Sequence, residues 1–455
     1  MLSSKEMSNF ARFEILFMKL FSEELVREAC SRCNITDLSH ATIGEILLAA
    51  QYLEQKTGIP FVRMDQGSPG LPINRFGTEA EKRALDSGIC SQYPPAGGHE
   101  GLKQAASRFV KAFIDIDIDP RGCIPVTGSV EGSFGAFAAC SQRIPGRDKL
   151  LFIDPGFPIQ KSQLRVLGTG WRSFDIYSWR GAGRLHERLE EELSAGDIAA
   201  IVYSNPDNPA WTCLEEEELA VIGELATKYD AVVVEDLAYF CMDYRKELGT
   251  PFRPPYLPTV ARYTDNYILL LSASKIFSYA GQRIALTCIS DKLYDRQYPA
   301  LAQRYDDAGV FGVTLTSSIL YMLTSGCTYS TQFGYAEMLN LACDGRLDFV
   351  ADTREYALRT RRIKDIMLRH GFHVVYEKDV TGPVGDGFFF TMGYDGISGD
   401  ELVVELMYYG LSCISLSTTG STQQGVRCCS SRMREELYPL LEERMAEFEK
   451  DHPRK

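Results

Sequence analysis

A chain of 455 residues with 45% hydrophobic and 24% charged residues has the make-up of a folded globular protein, which excludes a disordered or fibrous chain. Its 48 basic and 61 acidic residues leave a net charge of −13, so the broad cationic surface that nucleic acid requires is missing and any anion must be held locally. No run approaches the roughly 18 apolar residues of a membrane span; the strongest, Tyr267 to Leu271 and Ala231 to Val234, are strand-sized.

In chain order, Phe13 to Phe21 is apolar but interrupted by Glu14 and Lys19, with no small-residue cleavage site after it, so it reads as an amphipathic helix and not as a secretion signal. Thirteen scattered cysteines, an odd number, fit reduced thiols in a cytoplasmic protein better than a disulfide framework. The pairs Cys30/Cys33 and His370/His373 have ligand-like spacing but no second pair nearby, so no metal is expected.

From about Gly122 strand-sized apolar runs alternate with helix-length periodic segments, the pattern of a parallel sheet with crossover helices. Candidate strands are Cys123 to Thr127, Leu150 to Asp154, Ile198 to Ser204, Ala231 to Asp236, Tyr267 to Ser272 and Arg283 to Ile289, apolar enough for burial on both faces. The stretch Leu214 to Lys228 reads as a helix whose first turn, Glu215 to Glu218, is solvated and faces the positive end of the helix dipole. Beyond about Ser325 a long helical stretch, roughly Thr331 to His370, leads into a smaller α/β segment with Gly387 to Gly393, Asp400 to Tyr409 and Arg427 to Ser431. The N-terminal 60 or so residues are helical without a core of their own. They are expected to pack on that C-terminal lobe, dividing the chain into 1–70, a large domain over 71–330, and 331–455.

Four segments carry chemistry. Ser272-Ala273-Ser274-Lys275 closes a buried strand, and a lysine there is desolvated, the condition under which an amine becomes a Schiff-base nucleophile. Arg283 follows eight positions later. Asp236 and Tyr239, three apart past another buried strand, place a carboxylate and a phenol where both can face one pocket, the one to keep a pyridinium nitrogen protonated and the other to hold a ring oxygen. Asn205-Pro206-Asp207-Asn208-Pro209 is a sharp turn with free amide side chains, and Gly128-Ser129 opens a helix of small residues whose backbone N–H groups suit a phosphate. Singly, each is also an ordinary cap or turn.

Together and in this order, with Gly67-Ser68-Pro69, Tyr93-Pro94-Pro95-Ala96-Gly97-Gly98, Asp154-Pro155-Gly156-Phe157-Pro158 and Arg427, these segments resemble the fold-type I pyridoxal-phosphate-dependent aminotransferases of class I/II over most of the chain. The resemblance implies an α/β fold: a large domain with a mostly parallel seven-stranded sheet flanked by helices, and a smaller α/β domain built from both chain ends. It implies that Lys275 carries pyridoxal 5′-phosphate, that Asp236 pairs with the pyridine nitrogen, and that Asn208 and Tyr239 hold the ring hydroxyl. Phe157 would stack on the ring, and Gly128, Ser129, Val130, Ser272 and Arg283 would surround the phosphate. Tyr93 would reach the phosphate of a partner subunit, making a homodimer with shared sites. Arg427, with the Gly67 backbone, would clamp the substrate α-carboxylate. The implied reaction is amino transfer between an L-amino acid and a 2-oxo acid.

Two departures stand out. Where the family turn continues with Thr or Ser and then Gly, this chain has Ala210-Trp211, and Val130 replaces the lysine of some dicarboxylate-specific relatives. Arg75 and Arg304 are the remaining candidates for recognising a second carboxylate. Rival readings are C–S lysis or decarboxylation on the same scaffold and, against the short non-basic N-terminal segment, a cofactor-binding regulator.

Overall fold

A computed structural model describes residues 19–453. The Phe13 to Phe21 stretch therefore lies mostly outside the described residues. Seven strands form the main sheet: β1 (Cys123–Val126), β2 (Lys149–Asp154), β3 (Trp171–Asp175), β4 (Ile198–Ser204), β5 (Val232–Leu237), β6 (Tyr267–Ser272) and β7 (Ala285–Ile289). Their spatial order is β1-β7-β6-β5-β4-β2-β3. Neighbours from β3 to β6 run parallel, while β7 is antiparallel to both β6 and β1. The fold is α/β with a mostly parallel seven-stranded sheet, and six strands occupy the apolar runs that announce them.

The two-sided apolar strands are buried on both faces. Leu151, Ile153, Ile201, Val233 and Leu269 face one core with α4 (Glu100–Ile114), α7 (Ala182–Leu193) and α8 (Glu216–Lys228). The alternate residues Leu150, Phe152, Val202, Val234 and Leu270 face another with α5 (Ser129–Gln142) and α6 (Pro158–Leu167). A parallel return from β6 would need a crossover helix; instead the chain turns back through the four-residue α9 (Ala273–Ile276) and pairs Ser272 with Ala285. Arg283 consequently lies outside β7, in a left-handed conformation at φ +49, and not inside a strand as the apolar run suggests.

The helical stretch from Thr331 to His370 is not one helix. It breaks at Gly345, whose φ of +69 stops α10 (Tyr329–Cys343), and a five-residue helix, Phe349–Thr353, precedes α11 (Glu355–Arg369). Beyond it, β8 (Phe372–Val374), β9 (Phe389–Tyr394), β10 (Ile414–Ser415) and β11 (Val426–Cys429) form an antiparallel sheet in the order β10-β11-β9-β8, covered by α12 (Gly399–Tyr408) and α13 (Leu437–Asp451). Its core includes residues from Phe21 to Met64, on α1 (Glu23–Arg32) and α2 (Ile43–Thr57), packed with Ile363, Met392, Leu406 and Phe448. Val62–Arg63 pairs in parallel with Leu411–Ser412.

The first turn of α8 corrects one reading. Glu215 caps the helix, but Glu218 is buried and not solvated: Arg180 donates to both its oxygens at 2.8 and 2.9 Å. The same guanidinium reaches Asp379 at 2.7 Å, and Arg245 meets Asp379 at 2.7 Å from the other side. A buried charge is tolerated only when paired and hydrogen-bonded, and here each carboxylate has its guanidinium. The cluster fastens the Lys378 to Pro383 hairpin against the end of the Asn205 turn, since the Cys213 N–H also donates to Asp379. Among the described residues no helix is long and apolar enough to cross a membrane.

Candidate active site

In an open α/β sheet, ligands bind at the carboxyl ends of the strands, where loops leave the sheet. The candidate residues converge on that edge. The Asn205 turn leaves β4 after Ser204; Asp236 lies near the end of β5 and Ser272 ends β6; Gly128 and Ser129 follow β1; and Phe157 follows β2. In register, Ser204 stands opposite Asp236, and the Asn205 N–H donates to the Asp236 carbonyl at 3.2 Å.

Lys275, half-buried in α9, points its Nζ at the Gly67 carbonyl oxygen and over the Phe388 ring, 5.1 Å from its centre. Burial pushes its amine down to about 8, and Arg283 and Arg427 add to the depression. Below that pH the amine is an ammonium and cannot attack a carbonyl. Covalent loading of an aldehyde cofactor should therefore accelerate as pH rises through about 8 and level off above it; a rate that does not change between roughly pH 6 and 10 would contradict this, read by the rise of the visible band after mixing.

Asp236 is buried, and among the described residues it has no cationic partner. Its carboxylate accepts from the Ala238 N–H at 3.2 Å and from Gln160 Nε2 at 3.1 Å, and burial raises it to about 6. A desolvated carboxylate without a counter-charge is the environment that a cationic ring nitrogen would relieve. Tyr239 is buried beside it, and its hydroxyl has no hydrogen-bond partner among the described residues; burial pushes the phenol well above its ordinary range.

Arg427 on β11 is the third uncompensated group. It is 1% exposed, yet no carboxylate pairs with it among the described residues. One Nη donates to the Asp65 carbonyl, the other reaches Asn208 Oδ1 at 3.4 Å, and Nε has no partner. The Asp65 carboxylate itself is taken by Arg63 at 2.9 Å. The Arg427 guanidinium lies 4.6 Å over the Phe389 ring, and burial lowers its affinity for its proton. A dry guanidinium with an open donor edge is built for a carboxylate.

The anion end is separate. Helix α5 starts without a side-chain cap at Gly128, which has φ +78. A Cβ at Gly128 would lie 2.2 Å from Arg283 Nη2, so only glycine lets that exposed guanidinium stand against the helix start. Ser129 and Val130 form the first turn, both half-buried. Buried Ser272 accepts from the Ser274 N–H at 3.2 Å and keeps its hydroxyl proton to donate. Phe157 is half-buried as the cap of α6. An uncapped helix start with a guanidinium fits a phosphate. With an amine, an unpaired carboxylate and an unpaired phenol beyond it, the whole set fits pyridoxal phosphate.

Tyr93 stands apart, 82% exposed. Arg75 opens a helix with its guanidinium 5.1 Å over Phe76, and Arg304 is exposed on the helix Pro299–Tyr305; among the described residues neither bonds to the cluster. The pair His370 and His373 points to carboxylates: His370 to Glu442 and Glu449, His373 to Asp395. Two members of the site escaped the motif reading. Gln160, three residues after Phe157, shares its helix face, and Cys429, two after Arg427, shares its strand face, buried within Coulomb reach of both Lys275 and Arg427.

Comparison with known proteins gives the family and the fold. Over 218 residues, 48% of this chain and 53% of the relative, the chain is 27% identical to the aspartate aminotransferase of Pyrococcus horikoshii. Over 244 residues, 53% and 60%, it is 25% identical to the aspartate/prephenate aminotransferase of Thermus thermophilus. The chain thus matches between about half and three-fifths of the length of these relatives. The fold is that of the Thermus thermophilus aspartate aminotransferase solved with maleate, at a TM-score of 0.71 and 19% identity, covering 90% of this chain and 96% of that one. The family model for aminotransferases of class I and II matches residues 64–436, and the chain belongs to that family.

Proposed function

We propose that this protein transfers the amino group of an L-amino acid to a 2-oxo acid by a two-stage mechanism that uses pyridoxal phosphate, the cofactor of its family. The observation that carries the reading is the pairing of a depressed amine, Lys275, with a buried guanidinium, Arg427, that lacks a carboxylate. When bound, the cofactor supplies an electrophilic carbonyl carbon and a protonated ring that withdraws electrons from the substrate Cα.

The chain's own residues do the rest. Asp236 holds the proton on the ring nitrogen. Asn208 and Tyr239 hold the ring oxygen, and Phe157 covers one ring face. Ser129, Ser272, Arg283 and the start of α5, with Gly128 and Val130, hold the phosphate. Arg427 fixes the substrate α-carboxylate near the Gly67 backbone, which sets the Cα–H bond against the Lys275 amine. As a free amine of lowered basicity, Lys275 would take the substrate Cα proton and hold it inside the site for return, a general acid–base role of roughly 100- to 10,000-fold. Exposed Tyr93 serves the phosphate of a second copy, so the working unit is a homodimer with shared sites. In this reading 71–330 form the cofactor domain, with 1–70 and 331–455 together forming the smaller one.

The test is to supply the purified yellow protein with single amino acids and 2-oxo acids. The reading predicts bleaching of the visible band by the donor alone, its restoration by the acceptor, exchanged products, and parallel double-reciprocal plots. Release of ammonia or CO₂ without exchange would overturn it in favour of C–S lysis or decarboxylation, and intersecting plots would overturn the two-stage scheme.

A further inference from the structure

The turn that follows β4 ends on a residue for which backbone geometry gives no reason. Trp211 has φ +63, the left-handed region that costs a side-chain-bearing residue roughly 1–2 kcal/mol. The turn is closed by its own bonds. The Asp207 N–H donates to the Thr212 carbonyl at 2.9 Å, the Trp211 N–H to the Asp207 carbonyl at 3.1 Å, and the Ala210 N–H to Asp207 Oδ2 at 3.1 Å. The direction of the indole is thereby fixed.

That indole is fully buried, and its N–H has no acceptor among the described residues, so packing and not a hydrogen bond justifies its place. A Cβ at Gly387 would fall 1.8 Å from its Cε2, and the Gly387 carbonyl is itself tied by Thr360 Oγ1 at 2.6 Å and Ser430 Oγ at 3.1 Å. The same indole meets Tyr239 edge-on, ring centres 5.2 Å apart at 62°. Phe388 and Phe389 contact the same phenol ring at 5.7 and 5.6 Å. With its hydroxyl unbonded among the described residues, the Tyr239 side chain is held by packing, these three rings included.

We propose that Trp211 is a positioning residue, packed against both Gly387 and Tyr239, that aims the Tyr239 hydroxyl at the ring oxygen of the cofactor, and that position 387 is glycine to leave room for the indole. The inference rests on the role given to Tyr239 above.

The test reads the holoenzyme's visible absorption against pH, which a purely structural role would not move. A phenol donating to an anionic ring oxygen stabilises the deprotonated chromophore, so Tyr239→Phe should raise the midpoint by about 1–2 pH units, the size of one hydrogen bond to a charged group. Trp211→Phe should raise it in the same direction by about half a unit or more, and Gly387→Ala, whose methyl displaces the indole, should do likewise. The double variant Trp211→Phe/Tyr239→Phe should match Tyr239→Phe alone, since a mis-aimed phenol that is already absent has nothing further to lose.

If Tyr239→Phe shifts the midpoint while folded Trp211→Phe and Gly387→Ala titrate like the wild type, the inference falls and the role of Tyr239 stands. Additive shifts in the double variant would also overturn it. No shift with Tyr239→Phe would overturn the Tyr239 assignment and the inference with it. Should Trp211→Phe lose its fold, judged by circular dichroism, Gly387→Ala decides.

Discussion

Lys275→Ala is expected to lose at least roughly 10,000-fold in turnover, the upper end of what one acid–base group contributes, because in the function proposed above the same amine would also hold the cofactor covalently. The structure gives the loss a specific cause. Among the described residues no other lysine combines a depressed amine with a place at the carboxyl end of the central strands; Lys161, also at that edge, is committed to Asp154. The fold should survive, since the amine contributes one bond to the Gly67 carbonyl while its charge costs desolvation. The residues proposed to hold the phosphate and the ring are untouched, so the variant should still bind cofactor reversibly. Steady-state amino transfer and equilibrium dialysis check both halves, and near-normal turnover would remove Lys275 from the chemistry.

Asp236→Ala should separate chemistry from binding. A buried charge partner is worth about 3–5 kcal/mol when one side is deleted, so kcat should fall roughly 100- to several-thousand-fold, with a smaller loss of cofactor affinity because the phosphate end is untouched. The cofactor-free protein should respond in the opposite direction. Asp236 is raised to about 6 by burial, so its contribution to stability is intact below the ordinary carboxylate range and is lost as pH rises through about 6. Asp236→Asn, which keeps the shape without the charge, should therefore make the cofactor-free protein more stable than wild type above pH 6 and equal to it below about pH 4. Denaturant midpoints at the two pH values test this. A cofactor-free variant less stable at neutral pH would mean that the carboxylate is already compensated.

Much of this fold is legible in the sequence. Runs such as Tyr267 to Leu271 are buried on both faces of the sheet and announce themselves as continuous apolar stretches. β3 did not, because Trp171, Arg172 and Ser173 of this edge strand are only partly buried or exposed, leaving no period in the sequence. The break at Gly345 is a single left-handed residue inside an otherwise helical pattern. The burial of Glu218 is not visible in the sequence because Arg180, 38 positions away, is brought to it by the packing of α7 on α8, and the Asp379 that shares that guanidinium arrives on the C-terminal hairpin. Lys275, Asp236 and Asn208 can be read because each lies at or within a few residues of a strand end. Gln160 and Cys429 are defined by what they touch, and only the i,i+3 and i,i+2 spacings from Phe157 and Arg427 hinted at them. For Trp211 the sequence offers a departure from the expected turn; its packing against both Tyr239 and Gly387 is visible only in the structure.

The most direct measurement is chemical. The protein is incubated with pyridoxal phosphate, reduced with borohydride, digested, and its lysine peptides are mapped by mass spectrometry. A covalent adduct confined to Lys275, on a polypeptide that was yellow before reduction, is the predicted result. A colourless polypeptide with Lys275 unmodified, or an adduct on another lysine, would contradict it.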